Sequence, residues 1–262
     1  MTRKWTLSAL EFLALYESMR EDVLPEPFVF TAATVDYEEY VRQKADARAG
    51  VRRAHGSELD ELVEIVARPD LRVVVGGWNP ADFDAGEGRV RVLGVRRGDV
   101  GFVLTQLPGR TAWDSGGYEV TECDAVGLAA AIVDAFPEAQ AGRHGRIVLA
   151  DEERTLAGHV DHSYGRSGVL DTGEDEFDQA RRFSAAPLTR TGGIRIEQGI
   201  SRFGPRGRVV RTLRWRDVRD DGRYVIAGER PPVASGVDGK QLTAAINAEI
   251  AVVVRAIKDE RR

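Results

Sequence analysis

The sequence predicts an α+β fold: one helix, antiparallel-meander, helix unit is used twice, and the two units form a central antiparallel sheet with helical bundles about a pseudo-twofold axis. Three observations carry this expectation. Two strand-like stretches, "RVRVLGVRRGDVGFVLTQ" at 89–106 and "RVVRTLRWRDVRDDGRYVIAG" at 208–228, each break at a charged, glycine-bearing turn and read as hairpins of one kind. Each half carries a helical run that stops at a proline, Pro69 in the first and Pro187 in the second. Each half ends on an aspartate followed by apolar residues at four-residue steps. These are Asp124, Leu128, Ile132 and Phe136 in one case, and Asp238, Leu242, Ile246 and Ile250 in the other. The expected organisation is a single domain over 1–262 with pseudo-repeat halves of about 1–138 and 139–262.

Ser8 and Glu11 have capping-box spacing, and Leu10, Leu13 and Ala14 continue at helical intervals, predicting a helix over 7–20. It ends at "LPEP", because Pro25 and Pro27 cannot continue a helix, and Phe28, Val29 and Phe30 then read as a short strand. Asp36 with Glu39 predicts a second capping box, opening a helix in which Tyr37, Tyr40, Val41 and Ala45 share a face. Leu59, Leu62, Val63 and Val66 mark a third helix. "LRVVVGGW", "RVRVLGVRR" and "GFVLTQLP" predict a three-stranded antiparallel meander, and Asp124 is expected to cap the helix after it. In the second half a helical run from Phe177 to Ala186 precedes "GGIRIEQG", "GRVVRTLRWRD" and "GRYVIAG", three more strands, and Asp238 opens the last helix. The Gly- and Asp-rich stretch from His144 to Phe177 reads as a strand and a long loop.

Composition narrows the function classes. Hydrophobic residues are 42% and charged residues 30% of the 262, ordinary values for a soluble chain able to bury a large core. A net charge of -5 gives no overall attraction to nucleic acid or anionic membrane. Cys123 is the only cysteine, so neither a disulfide framework nor a cysteine zinc site is available. Glu11 and Glu17 interrupt the apolar residues near the N-terminus, and no run reaches the roughly 18 apolar residues of a membrane span, so a cytoplasmic location is expected.

Motifs for catalysis fail on inspection. "DSGG" at 114–117 resembles the nucleophile loop of trypsin-like proteases, but Trp113 stands where that family has glycine, and no base for Ser115 is identifiable. His159 and His162, with Asp161 between them, have two-ligand spacing for a divalent metal, yet Gly158 and Gly165 argue against the helix that would align them, and polar loop histidines are the favoured reading. No Gly-rich phosphate loop is present. The arginines from Arg202 to Arg223, interleaved with Phe203 and Trp215, offer phosphate contacts and stacking, which makes a nucleic-acid-binding module the alternative function. Strand alternation is the favoured account: Val209, Leu213 and Trp215 share one face, Arg208, Arg214 and Arg216 the other, with Asp217, Asp220 and Asp221 nearby to neutralise them.

"WTLSALEFLALYESMREDVLPEPF" at 5–28 resembles the opening of the EspG proteins, cytosolic chaperones of actinobacterial type VII (ESX) secretion. "GGIRIEQG", "GRVVRTLRWRDVRDDGRYVI" and the helix from Asp238 resemble that family's last half. The resemblance implies the pseudo-twofold fold. It also implies a non-enzymatic chaperone, without cofactor or bound metal, that binds the tip of the PPE subunit in PE-PPE heterodimers and keeps that substrate soluble and export-competent. Nucleic acid and membrane insertion are not expected, and a homodimer of the free chain is left open. The family holds its partner with the central sheet, the loop between the second and third strands, and the C-terminal helices. Here that loop is "WNPADFDAGEG", so Trp78, Asp82, Phe83, Asp84 and Glu87 are the implied partner-binding residues. Two readings of Phe83 stand at this stage: an anchor ringed by polar groups, or an aromatic folded back onto the sheet.

Overall fold

The structure, a computed structural model, describes residues 3–19, 23–34, 36–149, 171–228 and 231–261. In chain order the first half holds β1 (Lys4–Leu7), α1 (Ala9–Glu17), α2 (Tyr37–His55), α3 (Asp60–Ala67), β2 (Leu71–Trp78), β3 (Val90–Arg97), β4 (Val100–Pro108), β5 (Ser115–Asp124) and α4 (Leu128–Asp134). The second half holds β6 (Arg146–Val148), α5 (Asp171–Ala185), β7 (Leu188–Gln198), β8 (Val210–Val218), β9 (Gly222–Ala227), β10 (Val233–Gly236) and α6 (Gly239–Glu260). The ten strands make one antiparallel sheet in the order β1-β5-β4-β3-β2-β7-β8-β9-β10-β6. Read outward from the β2–β7 seam, each side runs through a four-strand meander to a short edge strand, which is the expected doubling.

Helix ends follow the local chemistry. The Ser8 hydroxyl accepts from the Glu11 N–H at 3.2 Å while the Glu11 carboxylate accepts from the Ser8 N–H at 2.8 Å. Asp238 and Gln241 make the same reciprocal pair at 2.8 and 2.9 Å. A cap of this kind stabilises a helix by about 1 kcal/mol. Asp36 completes only half a box: it accepts from the Glu39 N–H, but the Glu39 carboxylate turns outward to Arg42 and Gln43.

Two cores lie on opposite faces of the sheet. On the back face α4 and α6 pack on Val73, Val75, Val92, Ile194, Leu213 and Trp215. On the front face α1, α2 and α3 cover the β1–β5–β4–β3 side through Phe12, Leu62, Leu93 and Phe102. A third cluster, Ile147, Phe183, Tyr224 and Ile226, seats α5 on the front of the opposite side.

Several expectations are corrected. Each meander has four strands, not three. β5 was hidden because "SGGYEVTECD" begins in turn-like glycines and alternates buried Tyr118 and Val120 with glutamates. β10, "VASG", is too short and small to signal itself. β1 precedes the first helix, with Trp5 and Leu7 pointing inward against β5. Phe28 to Phe30 form no strand; the Val29 backbone pairs instead with the Gln106 amide at 3.0 and 2.8 Å. The shared face of Tyr37 and Val41 is exposed, and Val51 is the buried residue of α2. Asp124 closes β5 and accepts from the Gly127 N–H at 2.6 Å, so α4 starts later than expected and Phe136 lies past its end, still in the core.

Candidate functional site

The centre of the molecule is a seam between two glycine pairs. β2 ends "VVVGGW" and β7 begins "LTRTGGI", and the register sets Gly76 opposite Gly193 and Gly77 opposite Gly192. Side chains alternate across a strand, so the two pairs face opposite ways. On the back face the Trp215 indole lies over Gly77 and Gly192; a methyl on Gly77 would run into that ring, and one on Gly192 would meet the Gly76 carbonyl oxygen first and then the indole. On the front face nothing lies within 4 Å of a Cβ built on Gly76, and the nearest atom to one on Gly193 is the Leu213 carbonyl oxygen at 3.8 Å.

No described helix packs on this front strip. It forms the floor of an open cleft of ≈ 330 Å³ walled by Pro27, Trp78, Arg91, Arg195 and Thr212. Pairing places Arg91 beside Gly76 and Arg214 beside Gly193, so one row across four strands reads Arg, Gly, Gly, Arg. Arg195 bonds Glu26 and lies 3.2 Å from Glu197, which also pairs with Arg72. Burial depresses the pKa of Arg91, and neighbouring Arg89 adds to the effect. Arg216 is depressed likewise by burial, then by Arg214. An arginine stays protonated under such pressure, so the shift registers chiefly the burial of these cations, with a neighbouring arginine adding to it.

The β2–β3 loop stands at one end of the cleft. Trp78 is half-buried at its root, and the Phe83 ring meets it edge-on with centroids 6.3 Å apart. The Arg89 guanidinium lies over the Phe83 ring, 4.2 Å from its centre, and donates to the Phe83 carbonyl. Phe83 nevertheless keeps 53% of its surface exposed, so it is both propped by the sheet and presented to solvent. The Asp82 carboxylate accepts from the Ala85 N–H at 3.1 Å and shapes the turn, while Asp84 and Glu87 extend into solvent. The loop is pinned to the β4–β5 loop by an Ala85–Thr111 bridge and by the Ala112 N–H donating to the Asp84 carbonyl at 2.7 Å. Gly86 permits that approach, since a Cβ there would overlap the Gly109 carbonyl. Trp113, 60% exposed on the second loop, entered the sequence reading only as the residue that breaks the protease-like match, and not as a surface aromatic.

The other candidates separate. Ser115 accepts from the Gly117 N–H at 3.2 Å inside the turn that starts β5. His159 and His162 lie outside the described residues, and the described residues hold no cluster of metal-binding side chains. Cys123 is half-buried, and burial pushes its thiol up to about 11. Within the arginine stretch, Arg223 is buried with Asp217 at 2.7 Å on the back face, and Arg211 pairs with Glu249 of α6 at 2.7 Å. These arginines are dispersed over both faces rather than aligned along one nucleic-acid track. No described helix is long and apolar enough to cross a membrane.

The EspG family model matches residues 8–248. No curated protein matches the chain. Among solved structures, the chain is similar to the Mycobacterium tuberculosis type VII secretion system chaperone EspG5, determined in complex with a PE25-PPE41 dimer. The likeness is a TM-score of 0.53 at 14% identity, covering 98% of this chain and 96% of that one. At that identity the likeness is one of fold.

Proposed function

The chain belongs to the EspG family, and on that premise we propose that it is a cytoplasmic chaperone of type VII secretion that binds the PPE tip of a PE-PPE heterodimer and keeps it soluble for export. The observation that carries the contact is Phe83, an apolar ring in contact with Trp78 and Arg89 yet half-exposed beside the cleft. A ring already fixed in place loses little conformational freedom on binding and is suited to anchor an interface. Trp78 supports it, and Asp82, Asp84 and Glu87 form the polar rim. Residues 1–262 act as one EspG-like domain with halves of about 1–138 and 139–262, a reading supported by the sheet that runs through both. Holding a sticky surface needs no reacting group: covering it is worth about 25 cal/mol per Å² of apolar area before association costs. The role therefore requires neither catalysis nor cofactor.

Co-expression with the nearest encoded PE-PPE pair, followed by affinity capture and size-exclusion chromatography, tests this reading. A stoichiometric complex of all three chains is expected. A pair that stays soluble alone and never co-elutes with the chain overturns it. The nucleic-acid alternative predicts salt-sensitive retention on an anionic column, and elution in the void at low salt removes it.

A further inference from the structure

The doubled order of strands gives the β2–β3 loop a mate, the β7–β8 loop over 199–209, which carries a short 3₁₀ turn at Pro205–Gly207. Both loops present a phenylalanine under an arginine: the Arg202 guanidinium lies 4.8 Å from the centre of the Phe203 ring, as that of Arg89 lies 4.2 Å from Phe83. Their charges are opposite. The β2–β3 loop carries Asp82, Asp84 and Glu87 against the single Arg89, whereas no acid stands between Glu197 and Asp217, and the β7–β8 loop carries Arg202, Arg206 and Arg208. Pairing that runs from Leu71–Gln198 to Trp78–Thr191 sets the two loops at opposite ends of the seam, roughly 24 Å apart at about 3.4 Å per residue. A partner chosen by charge at one loop is therefore rejected at the other.

The second loop ends in an apolar tip. Ile200 and Phe203 keep 64% and 65% of their surface exposed, and Arg202, Pro205 and Arg206 beside them are exposed as well. The base of the loop is tied down. The Ser201 hydroxyl donates to the Glu260 carboxylate at 2.8 Å, the Arg202 N–H donates to the same carboxylate at 3.1 Å, and the Arg202 guanidinium donates to the Glu260 carbonyl at 3.1 Å. Those bonds occupy the acid nearest the tip. Asp70 is taken by Arg261, Glu249 by Arg211, and Asp259 is engaged within the chain. Arg206 and Arg208 have no acidic partner among the described residues, and the Arg208 Nε is buried without a hydrogen bond. The tip thus presents apolar surface and positive charge side by side, on a base that holds both in place.

From this juxtaposition we infer that the β7–β8 tip is a reversible docking point for an anionic lipid surface, with Ile200 and Phe203 entering its apolar layer while Arg202 and Arg206 meet the lipid phosphates above. A bilayer supplies these two chemistries as successive layers, and it deforms around a protruding tip. A protein partner would need an acid-rimmed groove with an apolar floor cut to the same shape, and a second copy meeting this loop with its own would set arginine against arginine. The net charge of -5 does not oppose the contact at short range, because charges beyond a Debye length of about 8 Å are screened. The docking is peripheral and needs no spanning helix. It does not depend on the chaperone reading, and it leaves the β2–β3 loop clear.

The test is co-sedimentation of the full chain with vesicles of equal parts phosphatidylglycerol and phosphatidylcholine, and with vesicles of phosphatidylcholine alone. The wild type is compared with Ile200→Ser/Phe203→Ser and with Arg206→Glu, each carried through a thermal melt. The wild type is expected to bind the anionic vesicles and to be weakened by raised salt, with little binding to the neutral ones. Both variants should lose about fivefold or more in vesicle affinity, with melting temperatures near wild type because the substituted side chains are exposed. A wild type that stays in the supernatant with anionic vesicles overturns the proposal, as do variants that sediment equally well. Polyglutamate or a single-stranded oligonucleotide that binds the wild type more tightly than the vesicles do, and is lost in the same variants, overturns the lipid assignment. Capture of the PE-PPE pair should be unchanged by Ile200→Ser/Phe203→Ser, and its loss would place the tip in the substrate surface instead. A wild type that captures no pair overturns the chaperone reading and leaves the vesicle result to decide the docking point.

Discussion

Gly77 and Gly192 lie one residue from Gly76 and Gly193, on the same two strands, and the same residue type serves different physical ends in the two pairs. The back pair is explained inside the chain: the Trp215 ring, wholly buried and edge-on to Phe136 with centroids 5.3 Å apart, occupies the volume of a Cβ on Gly77 and, with the Gly76 carbonyl, that of a Cβ on Gly192. What glycine costs the strand, about 0.5–1 kcal/mol at each position relative to alanine, is offset by seating the largest side chain of the core. Among the described residues the front pair has no such occupant. The two pairs thus differ in whether described atoms of the chain fill the space above them.

Substitutions can break or sharpen this contrast. The largest effect should come from Trp215→Ala, which empties the back face and is expected to cost about 3–5 kcal/mol in denaturant unfolding. A loss below about 1 kcal/mol would show that the indole does not hold the seam. Gly77→Ala should come next, at about 1–3 kcal/mol, because the methyl displaces a packed ring from its rotamer; an unchanged unfolding midpoint would remove the steric account of the back pair. Phe83→Asp should leave the melting temperature near wild type while weakening partner binding about tenfold, or about 1.4 kcal/mol by titration. A large loss of fold stability would instead make Phe83 part of the core. Gly76→Ala should have the smallest effect on the free chain, from none to a gain of about 0.5 kcal/mol in thermal unfolding. Marked destabilisation there would erase the difference between the two faces.

Much of the architecture was legible where local chemistry repeats. Ser8 with Glu11 and Asp238 with Gln241 announce their helices because a cap is made by residues three apart. The alternation of Leu213 and Trp215 with Arg214 and Arg216 gives the correct faces of β8, because strand period alone sets them. β5 and β10 were not legible. Tyr118 and Val120 are surrounded by glycine and glutamate, and "VASG" is four small or β-branched residues whose strand exists only through pairing with β9 and β6. The candidate loop from Trp78 to Gly88 came from a family resemblance, and Phe83 could be read there as anchor or as core. The double glycines of "VVVGGW" and "TGGI" stand inside expected strands, but which glycine meets which across the seam is written in neither stretch.

The sequence by itself determined the repeated order of helix, strands and helix, the boxes at Ser8 and Asp238 and the two faces of β8, since these follow from spacings of two to four residues. Only the tertiary structure decided that β2 meets β7 with Gly76 opposite Gly193, that Trp215 fills one side of that seam, and that Arg91 and Arg214 flank the other. Register between strands more than 110 residues apart is fixed by the packing of both faces at once, and no short-range pattern records it.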